Sequence, residues 1–127
     1  MIAQNLLDKA HQALSSAQLL LNSGDTNGAC NRAYYAMFDA ARYTLLISGA
    51  PVEAEIARTH SGLITAFSLH LVKTGRVPVE LGKALNKVED MRLIADYRGD
   101  SVELSDATWV VDQADTFVRA MASGFFK

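Results

Sequence analysis

Cysteine is almost absent from this chain: Cys30 is the only one among 127 residues. A lone cysteine excludes an intrachain disulfide. Because free cysteine is usually buried, we expect Cys30 to be a small core side chain rather than a nucleophile. The glycines form no phosphate-binding loop, and the serines lack the context of a nucleophile elbow.

The chain also lacks an excess of basic charge. Its formal net charge is -2 and its pI is near 5.8, so any RNA binding requires a local patch rather than a global positive field. Its apolar runs are far shorter than the roughly 20 residues of a membrane span. The N-terminus shows no basic region followed by an apolar stretch, and we therefore expect a cytoplasmic protein with no membrane partner.

Apolar residues recur at helical spacing, and no segment alternates long enough to indicate a strand. The pattern predicts an all-α, antiparallel up-and-down bundle of four to five helices in a single domain, residues 1–127. Residues 52–58 are ambiguous, with a short helical turn as one interpretation. Helices are expected over residues 2–22, from Asp25 or Thr26 to about Leu46, from Thr59 to Gly75, from Pro78 to about Arg98, and from Ser105 to Phe125.

The second predicted helix carries charge among apolar residues. Arg32 and Asp39 fall on one stripe, with Tyr35 and Arg42 beside it, at about 100° of turn per residue. Apolar residues cover most of the other sides, which is typical of a buried helix, and burying charge is costly. The stripe is therefore either a structural polar network or a functional site.

On the fourth predicted helix, Arg92 interrupts an apolar stripe. Asp96 lies four residues later and Glu89 three residues earlier, both within ion-pair reach. One interpretation is an intrahelical salt bridge. The other is a site in which Arg32, Asp39, Arg92 and Asp96 converge between the second and fourth helices, because a buried charge needs a partner.

The two histidines of the third predicted helix do not suggest a metal site. His60 and His70 are ten residues apart, which places them about 80° apart around the helix. No cysteine or carboxylate lies nearby at ligand spacing, so no metal and no other cofactor is predicted. His60 follows the capping residue Thr59, and it either completes the helix start or faces the polar cluster.

Several segments together resemble small prokaryotic HEPN-domain proteins, in order and over nearly the whole chain. Asn31–Arg42 is similar to the second helix of that family, and Arg92–Tyr97 to the end of its fourth helix. The other matching segments are Thr59–Ile64, Val72–Gly75 and Leu81–Asn86.

The resemblance implies a HEPN-like bundle and a toxin-like activity. HEPN ribonucleases carry an arginine followed after four to six residues by a histidine, and two such motifs meet across a dimer to cleave RNA. The implied function is a metal-independent RNA endonuclease of a toxin–antitoxin or defence system. Its candidate catalytic residues are Arg92, Asp96, Arg32 and Asp39, and its candidate RNA- or phosphate-binding residues are Arg42, Arg98, His60 and Tyr35.

This chain departs from that motif, because the next plausible positions after Arg92 hold Asp96, Tyr97 and Arg98, and no histidine occurs after His70. A carboxylate, with an ordinary pKa near about 4, is a poor proton carrier at pH 7 unless burial raises it. Whether the chain is an enzyme therefore stays open at this stage. The alternatives are a non-catalytic HEPN module that binds nucleotide, RNA or a partner through its arginines, and a purely structural dimerising bundle.

The resemblance also implies partners. Such proteins are commonly encoded beside a minimal nucleotidyltransferase antitoxin, which can attach adenylate to a tyrosine next to the motif. Tyr97 matches the position of that tyrosine. A symmetric homodimer is expected, with the ends of the fourth helices near the two-fold axis.

Overall fold

The computed structural model describes residues 2–53 and 58–124. Within them a π-helical turn, Ser68–Val72, directly continues the third of five α-helices. The fold is therefore the all-α bundle that the apolar spacing predicts. The helices are α1 (Ile2–Ser23), α2 (Thr26–Ser48), α3 (His60–Phe67), α4 (Val79–Tyr97) and α5 (Leu104–Ser123).

Side-chain caps set the start of two helices, as expected from the sequence. The Asp25 carboxylate caps α2 by accepting a hydrogen bond from the backbone N–H of Gly28 at 2.8 Å. Thr59 caps α3 in the same way, with its hydroxyl oxygen 3.0 Å from the N–H of Gly62. At the other end of α2, Gly49 takes a left-handed conformation with φ of 74°, which glycine adopts without steric cost.

The prediction that Ser105 caps the fifth helix is wrong. Glu103 is the residue before α5, and its carbonyl accepts the N–H of Ala107 at 2.9 Å. The preceding backbone is tied to α2, because the N–H of Val102 donates to the Asn27 side chain at 2.9 Å. This tertiary contact fixes where α5 starts. The predicted end at Phe125 and part of the ambiguous stretch 52–58 lie outside the described residues.

Helix α2 is the centre of the bundle and packs against α1, α5 and α4. Its contact with α1 is made by small side chains, which let the two backbones approach closely. Cys30 is fully buried, which confirms its expected place in the core. The alanines buried on the two helices are Ala10, Ala13, Ala17, Ala29, Ala33, Ala36, Ala40 and Ala41.

A close approach at Gly82 brings α4 against the π-helical turn. A Cβ at this position would lie 2.9 Å from a methyl carbon of Val72, so a larger residue would push the two segments apart. The contact holds α4 beside α3, and the end of α4 then lies next to α2. In the described part of the chain, no helix is both long and apolar enough to cross a membrane.

Candidate functional site

Arg92 is a buried cation on α4, only 4% exposed. Its Nη2 donates to both carboxylate oxygens of Glu89, at 3.1 and 3.0 Å, and its Nη1 donates to Asp96 at 3.1 Å. Its guanidinium carbon lies 4.9 Å from the centroid of the Tyr34 ring on α2, a cation–π distance. Burial alone lowers the pKa of Arg92, but the hydrogen bonds with Glu89 and Asp96 outweigh it and raise the pKa. The group therefore stays charged.

Tyr34 links α4 to α3. Its side chain is fully buried, and its hydroxyl lies 2.8 Å from Nδ1 of His60. Burial raises the pKa of the Tyr34 hydroxyl far above its ordinary value, and the negative charge of the Glu89 carboxylate raises it further. Tyr34 is therefore a neutral phenol that contacts both Arg92 and His60.

Aromatic rings surround the His60 imidazole. Its ring centroid lies 5.4 Å from that of Tyr34, 5.9 Å from that of Tyr35 and 5.2 Å from that of Phe38. All three rings come from α2, and His60 is the first residue of α3. The imidazole is half-buried, so its orientation is restricted while part of it remains accessible to solvent.

Asp96 covers the outer side of Arg92. Its side chain is 27% exposed, and it also accepts a hydrogen bond from the Asn31 amide on α2 at 3.4 Å. The next residue, Tyr97, is 76% exposed at the end of α4. We call the side chains that meet here the Arg92 cluster: Asn31, Tyr34, His60, Glu89, Arg92 and Asp96.

Arg32 and Asp39 lie elsewhere. They face α1, where both line a cavity of about 630 Å³ together with Lys9 and Ser16. Burial raises the pKa of Asp39, although the nearby cations Arg42, Lys9 and Arg32 act in the opposite direction. The structure therefore joins Arg92 with Asp96 but places Arg32 and Asp39 on a different face of α2.

Helix geometry explains this division. Residues 32 and 39 are separated by nearly two full turns and share one side of α2, whereas residue 34 is rotated by about 200° from residue 32. Tyr35 lies between the two faces, with the Arg32 guanidinium 5.6 Å from its ring centroid. Tyr35 therefore contacts both Arg32 and the His60 imidazole.

The other candidate phosphate-binding residues are at the edges of these two groups. Arg42 lies 3.9 Å from Asp39, and its guanidinium is 5.9 Å from the Phe38 ring centroid. Arg98 is an exposed residue just after the last turn of α4. Across residues 2–53 and 58–124, no three histidine, cysteine or carboxylate side chains are grouped as a metal site would require.

Three members of the Arg92 cluster were not among the predicted site residues. Glu89 was visible in the sequence only as an ion-pair neighbour of Arg92. Asn31 and Tyr34 gave no signal of their own, because a polar residue and an aromatic residue near the start of a helix are both ordinary. They became identifiable only when α3 and α4 were placed against α2.

The arrangement combines a charged guanidinium with an imidazole around one tyrosine. A guanidinium stabilises negative charge on phosphoryl oxygens, and an imidazole transfers protons near neutral pH. Helices α2, α3 and α4 each supply part of this set. Fold and site together define an all-α bundle with a buried arginine–carboxylate cluster at the end of its fourth helix.

Comparison with known proteins identifies the family. The model of the HEPN domain matches residues 3–123, and the chain belongs to the HEPN-domain family. A UPF0332 protein of Gloeobacter violaceus is 34% identical over 118 residues, which cover 91% of this chain and 90% of that protein. A UPF0332 protein of Thermotoga maritima is 38% identical, with coverage of 89% and 83%.

A third relative carries a name that refers to function. A protein of Methanocaldococcus jannaschii named "putative toxin" is 30% identical over 115 residues, which cover 91% of this chain and 82% of that protein. The resemblance inferred from the sequence is thereby confirmed at the level of the family. The toxin name belongs to the relative, to which this chain is similar.

Proposed function

We propose that this HEPN protein is a toxin-like, metal-independent RNA endonuclease and that the Arg92 cluster is its phosphate-binding site. The observation that carries the proposal is the buried, charged Arg92 beside the half-buried His60, with Tyr34 between them. The toxin name of the Methanocaldococcus jannaschii relative supports the same class of activity. Arg32 and Asp39 are left outside the proposed reaction because they face α1.

RNA would reach Arg92 by replacing Asp96. The Asp96 side chain is partly exposed, and its contact with Asn31 is long at 3.4 Å. A phosphate oxygen that took over its hydrogen bond to Nη1 would leave the buried cation paired, so the exchange avoids the cost of an unpaired charge. Arg98, exposed near Asp96, would hold a neighbouring phosphate. Arg42 and Tyr35 are further candidates for contacts along the RNA.

Arg92→Lys tests the proposal. Lysine keeps the positive charge but loses the planar fork that binds two acceptors at once, so we expect RNA cleavage to fall by at least about 100-fold and growth inhibition to disappear. Arg119→Lys is the matched control, because Arg119 also pairs with a carboxylate, Asp115, but is exposed on α5. Growth of the expressing host and cleavage of labelled RNA by the purified full chain are the measurements.

One observation favours a second function, a binding module without cleavage. Both terminal nitrogens of the Arg92 guanidinium already donate to Glu89 and Asp96, and a phosphate must compete with these carboxylates. If the wild-type protein binds RNA but neither cleaves it nor inhibits growth, the binding module replaces the endonuclease as the better account.

The proposed toxin would act as a homodimer and be controlled by a minimal nucleotidyltransferase partner. Tyr97 is the proposed target of that partner, because its side chain is 76% exposed and adjoins Asp96. In the transfer, the phenol oxygen bonds to the α-phosphorus of ATP, the α–β phosphoanhydride breaks, pyrophosphate leaves and the phenol proton passes to solvent. The attached adenylate would place bulk and negative charge where an RNA phosphate is proposed to bind.

Mass spectrometry tests this role of Tyr97. After co-expression with a minimal nucleotidyltransferase from the same genome, we expect adenylate on the peptide that contains Tyr97 and none after Tyr97→Phe. Tyr43→Phe on α2 is the control and should leave the modification intact. Adenylate on a different tyrosine, or no adduct at all, would contradict the assignment without affecting the test of Arg92.

A further inference from the structure

We propose that His60 is the proton acceptor of the cleavage reaction and that α3, rather than α4, supplies this group. The inference rests on the proposed endonuclease function and deepens it. The α4 segment after Arg92 offers Asp96, Tyr97 and Arg98 and no imidazole. The bundle nevertheless brings His60 to the same tyrosine that Arg92 contacts.

The backbone and the surrounding rings fix the position of His60. It is the first residue of α3, and the Thr59 cap holds that helix start through its bond with Gly62. Tyr34, Tyr35 and Phe38 surround the imidazole with ring centroids 5.2 to 5.9 Å away. Because the imidazole is already oriented, it loses little rotational freedom when RNA binds, and the barrier to proton transfer is lower as a result.

The contact of His60 with Tyr34 distinguishes its two ring nitrogens. Nδ1 lies 2.8 Å from the Tyr34 hydroxyl and is engaged with it. In the tautomer that carries its hydrogen on Nδ1, Nε2 is the unprotonated nitrogen. Nε2 is therefore the ring nitrogen that the proposal assigns as the proton acceptor.

The same chain of contacts couples the two functional groups. Arg92 lies over the Tyr34 ring, and the Tyr34 hydroxyl is hydrogen-bonded to His60. The Arg92 guanidinium and the His60 ring lie 4.9 and 5.4 Å from the same Tyr34 ring centroid. Both groups therefore border the same ring, and the proposal requires one phosphodiester and the ribose beside it to span them.

The proposed step uses these two groups and water. Nε2 of His60 takes the proton of a ribose 2′-hydroxyl, and the 2′-oxygen forms a bond to the adjacent phosphorus. The bond from phosphorus to the 5′-oxygen breaks, that oxygen takes a proton from solvent, and the products are a 2′,3′-cyclic phosphate and a 5′-hydroxyl. His60 then returns its proton to solvent. Arg92 stabilises the charge on the phosphoryl oxygens during the transfer.

His60→Gln in the full-length protein tests the inference. We expect kcat for cleavage of a labelled oligoribonucleotide to fall by at least about 100-fold, with RNA affinity changed less than a few-fold. His11→Gln, on the exposed face of α1, and His70→Gln, in the π-helical turn, are the matched controls and should cleave like the wild type.

Two further measurements separate a chemical role from a structural one. The wild-type rate should decline as the pH falls, because a protonated imidazole cannot accept a proton, and His60→Gln should lose this dependence. Added imidazole should restore part of the activity of His60→Ala. Tyr34→Phe, which removes the group that orients His60, should lower kcat while keeping the acidic decline.

The outcomes distinguish this inference from the proposed function. If Arg92→Lys is inactive and His60→Gln cleaves like the wild type, the role of His60 is wrong and the endonuclease stands. If the residual activity of His60→Gln keeps the acidic decline and imidazole restores nothing to His60→Ala, His60 is structural and the inference is overturned. If the wild type does not cleave RNA, the endonuclease and the role of His60 are both overturned.

Discussion

Replacing Arg92 by methionine should lower the free energy of unfolding by about 3–5 kcal/mol, the cost of removing one partner of a buried ion pair. Methionine fills a similar volume but leaves Glu89 without a cation, and the Glu89 side chain is only 14% exposed. The contact between the guanidinium and the Tyr34 ring is also lost. For a domain of ordinary stability, about 5–15 kcal/mol, this is a large fraction of the total.

The double variant Arg92→Met with Glu89→Leu separates the buried charge from the packing. Removing both charges eliminates the more buried of the two carboxylates, and Asp96, whose side chain is 27% exposed, can be solvated without Arg92. Most of the lost stability should therefore return, leaving a deficit of about 1 kcal/mol or less. Urea unfolding followed by circular dichroism measures both variants. Equal losses for the single and the double variant would mean that Glu89 is well solvated without Arg92, and the buried network would then have little structural importance.

Arg92→Lys is a better test of function than Arg92→Met. A loss of activity in Arg92→Met cannot be separated from partial unfolding, whereas Arg92→Lys keeps a cation between Glu89 and Asp96. A buried arginine of this kind is expensive to maintain, and hydrophobic replacements of buried ion pairs are often neutral or stabilising. A buried charge at this position is consistent with the proposed role in binding phosphate.

Local patterns predict most of the fold. The ends of α1 and α2 and the start of α3 follow from apolar spacing and from the caps Asp25 and Thr59, which are sequence-local signals. The start of α5 does not, because it depends on the contact of Val102 with Asn27, 75 residues away in the chain. No pattern near Ser105 contains that information.

The same distinction applies to the site. Arg92, Glu89 and Asp96 are neighbours on one helix, so their pairing follows from spacing of three and four residues. The contact between Tyr34 and His60 joins residues 26 positions apart on different helices, and it depends on how α3 packs against α2. The expectation that Arg32 and Asp39 join Arg92 assumed that the charges on α2 face α4, whereas Arg32 and Asp39 face α1. The side of α2 that meets α4 carries the uncharged Asn31 and Tyr34.

The protein should form a dimer that Leu93→Asp converts to a monomer. Leu93 is an exposed apolar residue on α4, and it lies beside the face that carries Glu89 and Asp96. In a symmetric dimer, the same surface patch of each subunit forms part of the interface. An aspartate at position 93 would therefore introduce two negative charges into one interface and remove two leucine side chains from it.

Leu19→Asp is the matched control, because Leu19 is an exposed leucine on α1, away from α4. Light scattering at tens of micromolar should give a dimer for the wild type and Leu19→Asp and a monomer for Leu93→Asp. Cleavage by Leu93→Asp then tells whether the Arg92 cluster and His60 of one chain act alone or form a composite site with the second copy. A monomeric wild type that cleaves RNA would exclude the composite arrangement, and the Arg92 cluster and His60 of a single chain would then have to suffice.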